Sequence, residues 1–162
     1  DLSFPALVIR EAHLDDAHDA EAVVKLVDSY ASDIIGGGKH LPPEVKERLI
    51  PALMAHPSKL IFLAYKGEEA VGLALCFIGF SSFQARPLLN IHDLAVLPDH
   101  RGGNIGQRLI EAVAVRGREI GCCKMTLEVR PDNEPGLALY KKTGFSRSML
   151  GNYPYWMMEK GL

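Results

Sequence analysis

The sequence has little that would tie it to a metal, a membrane or a nucleic acid. It contains only three cysteines, Cys76, Cys122 and Cys123. An odd count with two of them adjacent argues against a disulfide framework. There is no CxxC and no HExxH, so a zinc site is not expected. The cysteines read instead as small buried hydrophobes on strands. Charge of one sign is also lacking: 18 Lys and Arg stand against 20 Asp and Glu, a net charge of -2. A general nucleic-acid binder carries a basic excess, so no nucleic-acid partner is expected. The longest apolar run, residues 70–80, falls short of the roughly 20 residues that a membrane helix needs. The N-terminus lacks the basic-then-apolar layout of a signal peptide, and a cytoplasmic location is the expectation. No internal repeat or low-complexity stretch is present.

What remains is ordinary for a soluble globular protein: 162 residues, 48% hydrophobic and 23% charged. That length corresponds to about one domain, taken as residues 1–162 with no linker dividing it. Residues 7–10 read as a first strand. Asp15 or Asp16 then suits a helix N-cap. Ala22, Val23, Leu26, Val27 and Tyr30 recur at helical spacing, carrying that helix to about Ser32. Gly36, Gly37 and Gly38 break it. Pro42 and Pro43 open a second helix with Val45, Leu49, Leu53 and Met54 as its apolar positions, closed by Pro57.

Strands follow over residues 59–66, 70–80 and 88–97, the first two joined as a hairpin. A polar loop is expected over 81–87. A long amphipathic helix over 104–120 comes next, with Ile105, Leu109, Val113 and Ile120 on one side. Residues 123–129 read as a strand and 133–143 as a short helix with Pro135 in its first turn. Gly144 stands where a left-handed C-cap is wanted, with Phe145 positioned for the accompanying apolar contact. Residues 146–150 and 155–160 would close the chain as a hairpin. The order β-α-α-β-β-β-α-β-α-β-β defines an α/β fold with a mixed central sheet. Its strand-helix-strand unit over 88–129 requires a right-handed crossover.

One segment carries chemistry. Residues 90–97 are a strand, 98–101 turn, and Gly102-Gly103-Asn104-Ile105-Gly106 opens directly into the long helix. The first N–H groups of a helix lack internal partners and sit at the positive end of its dipole, which favours an anion. Glycine lets the backbone approach a phosphate closely. Arg101 adds a positive charge at the lip. The spacing is neither GxGxxG nor GxxxxGK[ST], so neither dinucleotide-binding nor P-loop readings fit. A glycine-rich turn without a ligand is the bland alternative.

Arg101 to Gly106 resembles the R/Q-x-x-G-x-G/A loop of the GNAT superfamily of N-acetyltransferases, which binds the diphosphate of coenzyme A. Asp93-Leu94-Ala95-Val96 is similar to the fourth strand of that family. Asn133, Ala138, Leu139, Tyr140, Lys141, Gly144 and Phe145 resemble its second signature, N-x-x-A-x-x-x-Y-x-x-x-G-F, with Ala138 and Tyr140 slightly offset. The motifs span residues 88–147, and the earlier residues match by element order. One departure is Asn104 in place of the middle glycine. Asn tolerates a left-handed backbone best among the other residues, so coenzyme A binding is expected to survive.

The resemblance implies transfer of an acetyl group from acetyl-CoA to an amine, with no metal. Leu94, Ala95, Val96, Arg101, Gly102, Gly103, Asn104, Ile105, Gly106 and Asn133 would bind the cofactor. Either Leu94 or Ala95 would supply the N–H that stabilises the carbonyl oxygen. Asn133 would hold the pantetheine chain, cap its helix, or both. Tyr140 would protonate the departing thiolate, since phenol and thiol have similar basicity. His92 and Asp93 are candidates for the base, with Glu128 on the next strand a third. Neighbouring strand residues alternate in direction, so only one of His92 and Asp93 is expected to face the substrate.

Acceptor contacts are expected from residues 30–40, 81–87 and 152–156. Tyr153, Tyr155 and Trp156 would form either an aromatic box for the acceptor or a core or dimer-interface cluster. The acceptor is read as a small-molecule amine, polyamine- or aminoglycoside-like. A protein or peptide amine and a non-catalytic acyl-CoA-binding module are the alternatives. A homodimer is implied by analogy alone.

Overall fold

The computed structural model describes residues 4–162. The elements are β1 (Leu7–Glu11), α1 (Ala17–Ser32), α2 (Pro43–Ala55), β2 (Lys59–Lys66), β3 (Glu69–Ser81), β4 (Arg86–Val96), α3 (Ile105–Ile120), β5 (Met125–Leu127), α4 (Glu134–Lys142), β6 (Met149–Leu150) and β7 (Tyr153–Pro154). This is the order read from the sequence, with single 3-10 turns added at Ile34–Gly36 and Pro98–His100. The chain divides into one compact unit ending at Leu127 and a second, Glu128–Leu162.

In the first unit five strands form one sheet in the order β1-β2-β3-β4-β5. β1 to β4 pair antiparallel and β5 runs parallel to β4, so the sheet is mixed. Helices cover both faces. Leu63, Leu73, Leu75 and Ala95 point to one face, where they pack with Ala22, Val23 and Leu26 of α1 and Leu53 of α2. α3 takes the other. There a Cβ on Gly72 of β3 would come within 2.9 Å of Ile105 Cγ2 and 3.1 Å of Leu109 Cδ1. The glycine lets the first turn of α3 sit close on the sheet. Because both faces are covered, β2 and β3 are buried along most of their length and read as apolar runs, not as alternation.

Helix ends follow the sequence closely. Asp16 caps α1 by accepting the His18 N–H at 3.1 Å. α3 stops at Gly121, whose φ is 93°. The Gly121 N–H reaches the Arg118 carbonyl at 3.0 Å and the Cys122 N–H reaches that of Gly117 at 2.9 Å, a Schellman ending.

Several expectations are corrected. Met54 and Ile120 are 51% and 37% exposed and belong to no core, since each lies off the inward stripe of its helix. The loop over 81–87 shortens to residues 82–85, because the hairpin ladder runs on through Ser81↔Arg86. The strand over 123–129 shrinks to Met125–Leu127. Only Leu89↔Met125, Asn90↔Thr126 and Ile91↔Leu127 pair with β4. Glu128 therefore lies beyond the strand. Cys76 is buried on β3, but Cys122 and Cys123 are half-buried and outside any strand. Burial, then the negative charge of Asp93, pushes the Cys76 thiol up to about 12, so it stays protonated and inert.

The second unit holds α4 and the β6–β7 hairpin. The hairpin is shorter than expected and its second strand is Tyr153–Pro154, not 155–160. Gly151 turns at φ 60°, setting Leu150 opposite Tyr153. One further backbone bond follows past Pro154, from the Tyr155 N–H to the Ser148 carbonyl at 3.1 Å. Tyr153, Tyr155 and Trp156 are 79%, 61% and 81% exposed, which keeps them out of any core within the second unit.

Candidate active site

The first unit brings His92, Asp93, Leu94, Ala95, Val96 and the 101–106 turn to one end of β4. The β3–β4 register steps from Leu75↔Asp93 to Cys76↔Ile91, leaving His92 as the extra residue of a β-bulge. This changes the direction of the side chains. Asp93 is paired with Leu75, and Leu75 faces α1 and α2. The His92 ring meets Phe77 edge-on at 5.7 Å, and Phe77 packs against the same cluster. So His92 and Asp93 both lie toward the α1 and α2 face, and the alternation argument does not hold at the bulge. His92 is exposed and Asp93 half-buried.

The bulge also marks where β4 and β5 part. Asn90, just before it, binds β5 through Nδ2 to Thr126 Oγ1 at 3.0 Å. The ladder ends at Ile91↔Leu127. From Asp93 to Val96, β4 keeps β3 on one side and has no strand on the other among the described residues. The Leu97 N–H is donated to Val71 of β3 at 2.9 Å. Strand alternation then turns the peptide groups of Val96 and Leu94 to the open side. Consistent with this, the Val96 carbonyl accepts Nε of Arg101 at 3.1 Å. Of the two candidate amides, Leu94 is the one directed outward.

The turn into α3 has the form that an anion site requires. Gly102 has φ 84°, and nothing lies within 4 Å of where its Cβ would be. Asn104 is left-handed at φ 65° and ψ 14° and makes no side-chain capping bond. The first intrahelical bond is the Arg108 N–H to Asn104 at 3.0 Å. The first turn of α3 holds no acidic residue. Its leading amides thus meet neither a cap nor an internal carboxylate, at the positive end of a 16-residue helix. Ile105 is buried at 2% exposure and anchors this turn to the sheet. These residues fit a diphosphate: Gly102, Gly103, Asn104, Ile105 and Gly106 would hold it through backbone N–H groups.

Arg101 departs from expectation. It does not project freely at the lip. Its Nη2 donates to Asp33 Oδ2 at 2.8 Å while Nε holds Val96. Asp33 also accepts the Ile35 N–H at 3.0 Å, capping the Ile34–Gly36 turn. That amide first, then Arg101, holds the Asp33 carboxyl below its ordinary value. The sequence reading did not single out Asp33. A lone aspartate ahead of a glycine run gives only a capping signal.

In the second unit Asn133 caps α4, accepting the Gly136 N–H on Oδ1 at 3.0 Å. Tyr140 lies in the last turn of α4. Gly144 is left-handed at φ 99°. The Phe145 N–H returns to the Tyr140 carbonyl at 2.8 Å and the Gly144 N–H to that of Lys141 at 3.2 Å. The Phe145 ring meets the Tyr140 ring edge-on at 5.8 Å. This is the apolar contact that accompanies a Schellman ending, and here it orients the half-buried phenol.

Among the described residues no His, Cys, Asp and Glu cluster of metal-ligating form occurs. No helix among them is long and apolar enough to cross a membrane.

A mixed sheet whose fourth strand breaks with its fifth, beside a glycine turn that opens a helix, defines a class. The chain belongs to the acetyltransferase (GNAT) family of enzymes, whose description matches residues 23–145. It is 27% identical over 147 residues to an IAA acetyltransferase of Azospirillum brasilense, covering 90% of this chain and 88% of that one. It is 32% identical over 79 residues to a thialysine N-epsilon-acetyltransferase of Bos taurus, covering 49% of this chain and 46% of that protein. The chain thus spans about half the length of some curated relatives it matches. In fold it is similar to an aminoglycoside acetyltransferase from an uncultured soil metagenomic sample, solved with sisomicin. That likeness has a TM-score of 0.74 at 19% identity and covers 94% of this chain and 97% of the other.

Proposed function

We propose that this chain is an N-acetyltransferase that takes its acetyl group from acetyl-CoA and delivers it to a primary amine of a small molecule. The observation that carries the reading is the start of α3, where a glycine turn and a left-handed Asn104 present uncapped amides. Family membership supplies the donor, since the same loop in the family binds the coenzyme A diphosphate. Acetyl-CoA, the acyl-donor substrate, brings an activated thioester. The chain's own residues must position it and manage two protons and one developing charge.

The open side of β4 suits the donor's amide-bearing arm, which would add to the strand edge as another strand does. The outward Leu94 N–H suits the carbonyl oxygen of the acetyl group as charge gathers there. His92 is the preferred base, because its ring is exposed and held edge-on by Phe77. Asp93 on the same face would hold the cationic amine before that proton leaves. Glu128 is exposed and outside β5, and it drops behind them. Tyr140, its ring oriented by Phe145, would return a proton to the departing thiolate. Asn133 retains its Nδ2 for the pantetheine chain while Oδ1 caps α4.

The acceptor class rests on relatives that act on thialysine, and on the fold likeness to an aminoglycoside enzyme. The test is thiol release from acetyl-CoA across polyamines, aminoglycosides, amino acids and N-terminal peptides. Turnover with one of the first three classes is expected. Turnover confined to peptides makes the chain a peptide acetyltransferase, and binding of acetyl-CoA without any turnover makes it a non-catalytic module. In the active enzyme, Tyr140→Phe should cut kcat about a hundredfold with acetyl-CoA affinity unchanged. Full turnover in that variant removes Tyr140 from the reaction.

A further inference from the structure

Arg101 stands at the entrance of the donor turn, yet both ends of its guanidinium are engaged within the protein. Nε holds the Val96 carbonyl at 3.1 Å, at the end of β4. Nη2 holds Asp33 Oδ2 at 2.8 Å, 68 residues away in sequence. Asp33 is itself fixed at several points. Its side chain is 19% exposed, and its other oxygen takes the Ile35 N–H at 3.0 Å. Its carbonyl accepts the N–H groups of Gly36 and Gly38, both at 2.9 Å, and its own N–H returns to Ser29 and Tyr30 of α1 at 3.2 Å. Gly36 is packed so closely that a Cβ there would overlap the Tyr30 carbonyl. The end of α1, the Ile34–Gly36 turn and the entrance of the donor turn are therefore joined through one aspartate.

We propose that Asp33 is a positioning residue and Arg101 its strut, so that the 34–38 turn and the 101–106 donor turn are ordered together. Arg101 then serves the donor by holding its loop and not as a phosphate ligand. The inference rests on the reading of 101–106 as the donor turn. Ordering one partner of a coupled pair reduces what ordering the other costs. Coenzyme A at the donor turn therefore stiffens the 34–38 turn, which lies within the 30–40 segment expected to contact the acceptor. The pair is partly exposed, so the coupling is modest, about threefold.

The experiment is hydrogen exchange with and without coenzyme A, alongside calorimetric affinity for coenzyme A. The variants are Asp33→Asn, Arg101→Gln and the double. Asn at 33 keeps an oxygen for the Ile35 N–H and loses only the charge, which separates the strut from the cap. In the wild type, coenzyme A should slow exchange over residues 34–38 about threefold. Each variant should abolish that protection and speed exchange in the turn it does not belong to: 98–104 for Asp33→Asn, and 34–38 for Arg101→Gln. Affinity for coenzyme A should stay within about twofold, and the double should equal either single. Exchange changes confined to the mutated turn overturn the strut. So does a large loss of coenzyme A affinity in Arg101→Gln with none in Asp33→Asn, which makes Arg101 a phosphate ligand. If the wild type binds no coenzyme A, the proposed function fails. The cross-turn exchange of the free protein then still decides the strut.

Discussion

α1 and α3 are both 16-residue helices lying against the same sheet, and their N-termini are opposites. α1 begins with its own anions. Asp16 caps it, and Asp19 in the first turn is fully out of solvent. Asp19 takes both nitrogens of Arg10 at 2.7 and 2.8 Å, the His13 N–H at 2.8 Å and the Tyr65 hydroxyl at 2.6 Å. Nothing is left there for a ligand to satisfy. α3 begins with a left-handed Asn104 that makes no cap and with no acid in its first turn. Under the proposed function, the difference is how a near-neutral chain would hold a polyanion. The helix dipole is equally available at the starts of α1 and α3, but only α3 is left without its own counter-charge.

The largest expected effect lies at the filled end. Replacing Asp19 by Ala leaves the partly exposed Arg10 unpaired and strands the His13 amide and the buried Tyr65 hydroxyl, at about 1–3 kcal/mol for each stranded donor. Urea unfolding measures it. Coenzyme A affinity per folded molecule should not change, and a specific loss of affinity would break the contrast between the two ends. The pH dependence has a fixed sign. Arg10 first, with the His13 amide and Tyr65, holds the Asp19 carboxyl well below its usual value against the opposing effect of burial. A depressed carboxyl contributes its full stability above the unfolded value of about 3.9 and loses it as pH falls below that. Acid unfolding of the wild type should therefore begin below about pH 4, and the Ala variant should show a flatter acid limb.

The next effect lies under the empty end. Gly72→Ala drives a Cβ against Ile105 and Leu109 and should cost about 1–3 kcal/mol by overpacking. It should also weaken coenzyme A, because the first turn of α3 must move. S-acetyl-pantetheine lacks the diphosphate, so its KM should be unaffected. Equal losses for both donors would mean that the turn is not where the diphosphate sits.

How much of this was legible in the sequence differs between the two ends for a physical reason. Helix starts and stops are local, and Asp16, Asn133, Gly121 and Gly144 each act within a few residues. The left-handed Asn104 was legible likewise, because few side chains tolerate that backbone. Asp19 and Asp33 were not, since their partners Tyr65 and Arg101 lie 46 and 68 residues away. The bulge at His92 escaped detection because period-two alternation assumes an unbroken ladder, and nothing in His92-Asp93 announces an extra residue. The length of β5 escaped for the same reason: an apolar run says that a strand can form, not where its neighbour turns away.

The smallest and sharpest prediction would make the empty end resemble the filled one. Asn104→Asp keeps the size of the side chain and a tolerable left-handed backbone, and adds a carboxylate at the start of α3. The dipole should favour that charge by about 0.3–1 kcal/mol, so thermal stability should hold or rise slightly. Coenzyme A must then share the same amides with a fixed negative charge, and its affinity should fall, most at low salt. Asn104→Ala separates the two influences: it changes no charge but replaces the side chain that best tolerates φ 65° with one that tolerates it less, costing up to about 1–2 kcal/mol of stability. Asn104→Gly relieves the backbone and should bind at least as well as the wild type. A protein that grows more stable and binds more weakly with Asp, yet less stable with Ala, has an anion site at this helix start. If Asp and Gly bind coenzyme A equally well, the diphosphate is held elsewhere and the contrast between α1 and α3 is one of capping alone.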